Sequence, residues 1–428
     1  MPLITRSIPN LIGGVSQQPE VLRLENQGSV QENGFSGVVE GLKKRPPTNH
    51  IAKISNSALN NAFIHTINRD VNERYVVVIT NGSIAVHTVG GVSKTVVNAT
   101  NATNYLTSSN PQADFQCLTV NDFTFVLNKT KTVAMSSATS PAKVEQAVYT
   151  VTQGVNNTPY SITIDGSTTT FTSSNTNTKS IRDGLKSAIG SPSNITLANI
   201  GDSSFSIIKS TGTLSITASD GFGNQASQVI KDEVQNFSDL PKDGINNMVV
   251  EVKGDASNTF DNYYVKYSSS TKVWEETVAP GIKINIDDDT MPHVLIRTAD
   301  GNFRFTQVDG STYTISSTSF DVPAFGNRKV GDLDSAPNPS FVDRKIRDIF
   351  FHRNRLGFLS DENIIMSRSG ETFEFFNETV TDALDTDPID VNVAHTKVSI
   401  LKHAISFDEK LLLFSDQTQF ILSGGTNL

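Results

Sequence analysis

A short unit recurs along this chain and constrains its fold more than any other feature: an apolar strand, a polar tip, a second apolar strand. Its fullest form is residues 348–369, DIFFHRNRLGFLSDENIIMSRS. Ile349, Phe350 and Phe351 open it, and His352-Arg353-Asn354 turns it. Leu356, Phe358 and Leu359 carry it out to a second tip, Asp361-Glu362-Asn363, and Ile364, Ile365 and Met366 return. Apolar runs this short, bounded by polar turn residues, read as buried strands, and strands joined by such tight tips run antiparallel. The pattern repeats at 75–89 (YVVVIT, Asn81-Gly82, IAVHTV), 123–136 (FTFVLN, a Lys-Thr-Lys-Thr tip, VAMS) and 411–423 (LLLFS, Asp416-Gln417, TQFILS). A small β unit repeated along a chain is how propellers are written, and unrelated hairpins in a β-sandwich give the same pattern. The expected class is mainly β, with Phe350, Leu356, Phe358, Ile364, Leu412 and Phe414 buried, each contributing about 1.5–3 kcal/mol.

Two stretches interrupt the repeat. Residues 148–219 supply strands around an Asp165-Gly166 turn, then KSIRDGLKSAI, whose Ile181, Leu185, Ala188 and Ile189 share one helix face between a Thr178 cap and a Gly190 stop. Two more strands follow around Thr211-Gly212, so this is an inserted α+β module. Residues 220–245 are polar and read as a linker. Strands at 248–252, 263–267 and 273–278, and a hairpin turning at Asp300-Gly301, make 246–320 an inserted all-β module. The expected order is an extended arm (1–50), first platform hairpins (51–147), the α+β module (148–219), the linker (220–245), the β module (246–320) and further propeller-like platform hairpins (321–428).

The arm is unusual. Gly13-Gly14 permits positive φ, Gln17-Gln18-Pro19 follows, and Arg45-Pro46-Pro47 forces an extended exit. Leu11, Val15, Leu22, Leu24, Phe35, Val38 and Leu42 are too many apolar residues for a disordered tail. The arm is expected to lie along a surface, its own or a neighbour's, with Gly13, Gly14, Gln17, Gln18, Pro19, Arg45 and Pro46 as assembly contacts.

Chemistry is scarce. With 35 Lys and Arg against 44 Asp and Glu, the net charge of −9 argues against a general nucleic-acid binder. The single cysteine, Cys117, forms no internal disulfide and reads as a small buried hydrophobe, which suits a reducing cytoplasm. The N-terminal residues lack a signal-peptide pattern, and no apolar run approaches the roughly 20 residues of a membrane helix. Residues 221–226 match G-x-G-x-x-A, but no βαβ unit surrounds them, so they read as a turn. Asp287-Asp288-Asp289 lacks the spaced oxygens of a calcium loop, and Asp382, Asp385, Asp387 and Asp390 read as loop or subunit contacts. The seven histidines show no metal spacing, and there is no G-x-S-x-G elbow. No cofactor and no enzyme activity are expected. The densest basic region is Arg344, Lys345, Arg347, Arg353, Arg355 and Arg368, read either as phosphate contacts or as surface and subunit salt bridges.

Several of these stretches together resemble one family. GGVSQQPEVLR, Gln27-Gly28, Asn33-Gly34 and GLKKRPP are similar to the start of tail tubular protein B, the nozzle protein of short-tailed phages of the autographivirus type. The resemblance continues through residues 64–70, Gly254-Asp255-Ala256, Tyr263-Tyr264-Val265, Thr290-Met291-Pro292-His293, FFHRNRLGFLSDENIIMSRS and Asp387-Pro388-Ile389-Asp390-Val391. It implies a structural virion tail protein assembled in the bacterial host cytoplasm: a homo-oligomeric ring, six copies around a channel for double-stranded DNA. Such a ring docks under an adaptor ring (tail tubular protein A) beside the tail fibres, retains the genome, and lets DNA pass at ejection. The family's proteins are longer, so this chain is expected to be the N-terminal portion. The rival reading is a tail-associated carbohydrate-binding protein or envelope-degrading hydrolase, which needs a cleft lined by aromatics.

Overall fold

The computed structural model describes residues 5, 10–254 and 261–424. Residues 1–4 and 6–9 of the arm, the motif residues Asp255 and Ala256, and 425–428 lie outside the described residues. Strands account for 41% and helix for 6%, so the protein is mainly β. It divides into two compact units, 1–56 and 57–428.

In the larger unit four sheets follow one another. The first pairs Phe63–Asn68, Arg74–Thr80, Ser83–Thr88 and Ser93–Lys94 as an antiparallel meander. The second has five strands in the spatial order Val96–Asn98, Phe303–Thr306, His293–Arg297, Phe123–Asn128, Phe115–Val120. The third is a meander of Asp348–His352, Arg355–Ser360, Asn363–Met366 and Ile389–Asn392, and the fourth is Leu401–Phe407, Lys410–Ser415 and Gln419–Ser423. Each pair of neighbours shares a dry core. Val77, Ile79 and Val86 of the first sheet meet Val126, Leu295, Phe303 and Phe305 of the second. The opposite face of the second, Phe125, Leu127, Val294 and Ile296, meets Ile349, Leu356, Phe358 and Ile365 of the third. The third sheet's other face, Phe350, Leu359, Ile364 and Met366, meets Leu401, Leu411 and Leu413 of the fourth. The middle sheets are buried on both sides, which is why their strands read as unbroken apolar runs.

Three expectations need correction here. The strand Phe123–Asn128 does not return through Val133 and Met135. It pairs with Phe115–Val120 across a tight turn at Asn121, whose φ is +54°, and Val133 and Met135 make single bridges to Val342 and Ile286. The hairpin His293–Arg297 with Phe303–Thr306 pairs with Phe123–Asn128 and with Val96–Asn98, not with the strands at 249–277. Leu412 and Phe414 are only half-buried, because it is Leu411 and Leu413 that point into the core. Phe350, Leu356, Phe358 and Ile364 are buried as expected.

Between Ser140 and Ile282 the chain makes one long excursion. Its neck is antiparallel, with bridges Met135 to Ile286 and Thr139 to Lys283. Ser140 pins it: its Oγ donates to the Ala279 carbonyl at 2.6 Å and accepts from Ile282 N at 3.1 Å. The first half of the excursion packs the helix Thr178–Ile189 between a four-stranded and a three-stranded sheet, over Tyr149, Tyr160, Ile162, Leu185 and Phe205. Asn177, rather than Thr178, caps the helix, accepting from Ser180 N at 3.0 Å, and Gly190 ends it with φ +71°. The stretch expected to be a linker contains strands. Ser227–Ile230 joins the first half beside Gln146–Val151, and Glu233–Val234 starts the sheet of the second half with Val249–Val252, Tyr263–Ser268 and Val273–Thr277. Val148 and Ile230 share a core with Val234, Val250 and Val265, so the halves form one limb. That limb is held to the rest of its unit by Glu276, whose carboxylate accepts from Thr379 Oγ1 at 2.6 Å and Val380 N at 2.8 Å.

Candidate functional site

The arm residues sit in the smaller unit, which is ordered by its backbone rather than by a core. Gly13 N donates to Asn26 O at 2.9 Å, and Gly28 N to the carbonyl of Gly14, whose φ is +69°. The Gln17-Gln18-Pro19 segment is an exposed turn: Leu22 and Arg23 donate to the Pro19 carbonyl, and Arg23 Nη2 to the Gln18 carbonyl. Arg45 Nε donates to Asn33 Oδ1 at 2.7 Å, just before Pro46. The hairpin Gly34–Gly37 with Gly41–Lys44 was not anticipated, because its glycines are poor strand formers. Val21, Leu22, Leu24, Val30, Phe35, Val38 and Val39 are all exposed.

The basic region divides into two groups, because Arg347 and Arg353 flank the strand Asp348–His352, which is about 17 Å long. At one end Arg344 and Arg347 lie 3.8 and 3.9 Å from the Asp361 carboxylate, both substantially exposed, with Lys345 exposed beside them. Nothing in the sequence pairs this end with the 129–132 tip, yet Thr132 bridges to Lys345 and Val133 N donates to the Arg344 carbonyl at 2.9 Å. That brings the tip's Lys131, next in the chain to Thr132, toward the Arg344–Lys345 segment. At the other end Arg353 occupies a left-handed turn and pairs with Glu409 at 3.7 Å. Arg355 is buried. Its guanidinium donates to the carbonyls of Ser367 (2.7 Å), Asp387 (2.6 Å) and Asp385 (2.9 Å), so it braces the 385–387 loop and has no face left for a phosphate. Arg368 pairs with Glu378.

The remaining motifs are structural. Asp220 accepts from Phe222, Ala226 and Ser227 N, making the G-x-G-x-x-A match a braced turn. Asp390 accepts from Ser340 N at 2.7 Å, and Asp387 from Leu384 N at 2.8 Å. Among the described residues no group of three or more His, Cys, Asp or Glu could hold a metal ion, and no helix is long and apolar enough to cross a membrane.

Comparison with known proteins covers the whole length. The family model described as "Bacteriophage nozzle protein" matches residues 1–428. The tail tubular protein gp12 of Escherichia phage T7 is 36% identical over 448 residues, which cover 100% of this chain and 54% of that protein. The chain thus spans about half the length of this curated relative. It belongs to the bacteriophage nozzle protein family.

Proposed function

We propose that the chain is a structural, non-catalytic part of a short phage tail, forming the wall of the nozzle through which the genome leaves the virion. The family match along all 428 residues carries this reading. The stacked sheets support a propeller-like platform. Neighbouring sheets pack face to face, each burying an apolar layer against the next, which is how blades associate. Heterologous contacts between copies close into a ring, six-fold in this reading, and double-stranded DNA passes through it.

The arm, 1–50, carries exposed apolar side chains on a framework held by its own backbone, and it serves as the contact to a neighbouring subunit or to the adaptor ring. Gly13, Gly14, Gln17, Gln18, Pro19, Arg45 and Pro46 set its shape. Arg344, Lys345 and Arg347, only loosely balanced by Asp361, are the residues best suited to a passing phosphate or a neighbouring subunit. Arg353 suits a subunit contact. With a net charge of −9, a wall poor in cations releases few counterions and lets DNA slide without sequence recognition.

The test is electron microscopy of tails assembled with the full-length protein, together with DNA binding by the purified ring at physiological salt. Ring-shaped density in the tail and negligible DNA affinity are expected. A monomer absent from tail particles, or tight sequence-selective DNA binding, overturns the reading.

A further inference from the structure

We propose that the limb carries a binding site for an acidic saccharide, in the groove between Phe237 and Trp274. The groove is open, has a volume of about 700 Å³, and is lined by Phe237, Leu240, Pro241, Lys242, Asp243 and Trp274, with Lys272 and Val273 on its rim. Trp274 is the only tryptophan of the chain.

The floor is built in advance. Trp274 Nε1 donates to the Pro241 carbonyl at 2.8 Å, and the Tyr267 ring meets the indole edge-on at 5.3 Å, so the indole plate is fixed. Phe237 begins the 3-10 turn Phe237–Asp239, in which Asn236 N donates to Asp239 Oδ2 at 3.0 Å. Both Phe237 and Val273 remain 48% exposed. A fixed floor of aromatic and aliphatic surface spares a ligand the cost of ordering it. The walls add polar groups of both signs. Lys242 and Lys272 are exposed and, among the described residues, in no ion pair. Asp243 brings a carboxylate that lies against Gly201, at the seam between the limb's halves.

Each feature meets one part of a sugar ring. The C–H face of a pyranose packs on aromatic and aliphatic surface, the hydroxyls donate to Asp243, and the lysines supply donors. Two exposed ammonium groups that, among the described residues, pair with no carboxylate select a ligand that carries one. A DNA strand fits less well, because its phosphodiester backbone has no hydroxyl to donate to Asp243. The site adds a binding activity to a wall protein and does not depend on how copies of the chain assemble.

Because Trp274 is unique, its fluorescence reports this groove alone. The 428-residue chain is titrated with tri-galacturonate, with neutral maltotriose and with oligothymidylate. A saturable change with tri-galacturonate, weakened at least about tenfold in the Lys242→Ala, Lys272→Ala double variant and in Phe237→Ala, is expected, since each loses contacts worth at least ~1.4 kcal/mol. Unaltered circular dichroism and an unaltered ligand-free emission maximum establish that the variants are folded. Absence of a saturable change overturns the proposal, as does equal affinity for maltotriose. Tighter binding of oligothymidylate overturns it in favour of a base-stacking platform. A response that survives both variants overturns the location.

Discussion

His293 lies in the buried face of the second sheet, stacked on Tyr105 with ring centroids 4.2 Å apart, its Nδ1 donating to the Met291 carbonyl at 3.0 Å. Burial holds its imidazole down to about 4. The folded state therefore favours neutral His293; its stabilisation is complete above the unfolded value near 6.5 and is lost as pH falls through about 4. Asp288 has the opposite sign. Burial, then the carboxylates of Asp309, Asp287 and Asp289, push it up to about 7. Its stabilisation is complete below its ordinary value and is lost as pH rises through about 7. In thermal melts Asp288→Asn should flatten the decline toward pH 8, and His293→Asn should flatten the loss between pH 6.5 and 4. Slopes that match the wild type would refute either assignment. Gly357 is a third sensitive position: the Phe350 ring occupies the place where a Cβ would stand. Gly357→Ala should cost about 1–3 kcal/mol in urea unfolding. None of these three was legible in the sequence: Phe350 meets Gly357 only through strand pairing, and the burial of His293 against Tyr105 and of Asp288 near Asp309 needs the folded chain.

At the scale of elements, what the sequence revealed was local. The tips Asn81-Gly82 and Asp165-Gly166, the helix face through Ile181 and Leu185, and the meander at 348–366 are set by neighbouring residues and were legible. The partners of Phe123–Asn128 were not, since the Lys-rich tip offered a plausible turn in place of the one at Asn121, and the second mate, His293–Arg297, is far along the chain. In LLLFS a one-residue shift exchanges faces, and three consecutive leucines give no alternation to fix it. The sequence reading put the helix cap at Thr178, and the structure moves it one residue earlier to Asn177, an equally good capping type. Asn177→Ala should therefore lower limb stability by about 0.5–2 kcal/mol while Thr178→Ala changes it little. Equal effects would mean that the cap is misassigned. Because Ser227–Ile230 completes the sheet of the first half, a fragment of 146–282 should unfold cooperatively, whereas 148–219 alone should be markedly less stable.

For the whole molecule, the separation into two units has a direct test. Residues 1–56 have exposed apolar side chains and a backbone-held framework, so deleting them should leave the melting midpoint of the remaining chain unchanged and reduce incorporation into tails. A lowered midpoint, or normal incorporation, would contradict the assembly role proposed for the arm. The sequence offered more apolar residues in the arm than a disordered tail carries. What surface it covers was not legible, because apolar spacing alone does not distinguish a surface of the same chain from one of a neighbour.

The neck at Ser140 has a consequence for how such a protein can change. The limb's two ends meet side by side, with Ile284 N donating to the Ala138 carbonyl at 3.2 Å, so closing the chain there without the limb needs only a tight turn. Excising the intervening residues and splicing Ala138 to Ile284 through Asn-Gly should yield a trimmed protein that keeps the melting behaviour of the four stacked sheets. Failure of the spliced chain to fold would mean that the sheets lean on the limb. If it folds, the neck is a natural cassette boundary, across which a phage lineage can trade one inserted module for another without redesigning the stacked sheets.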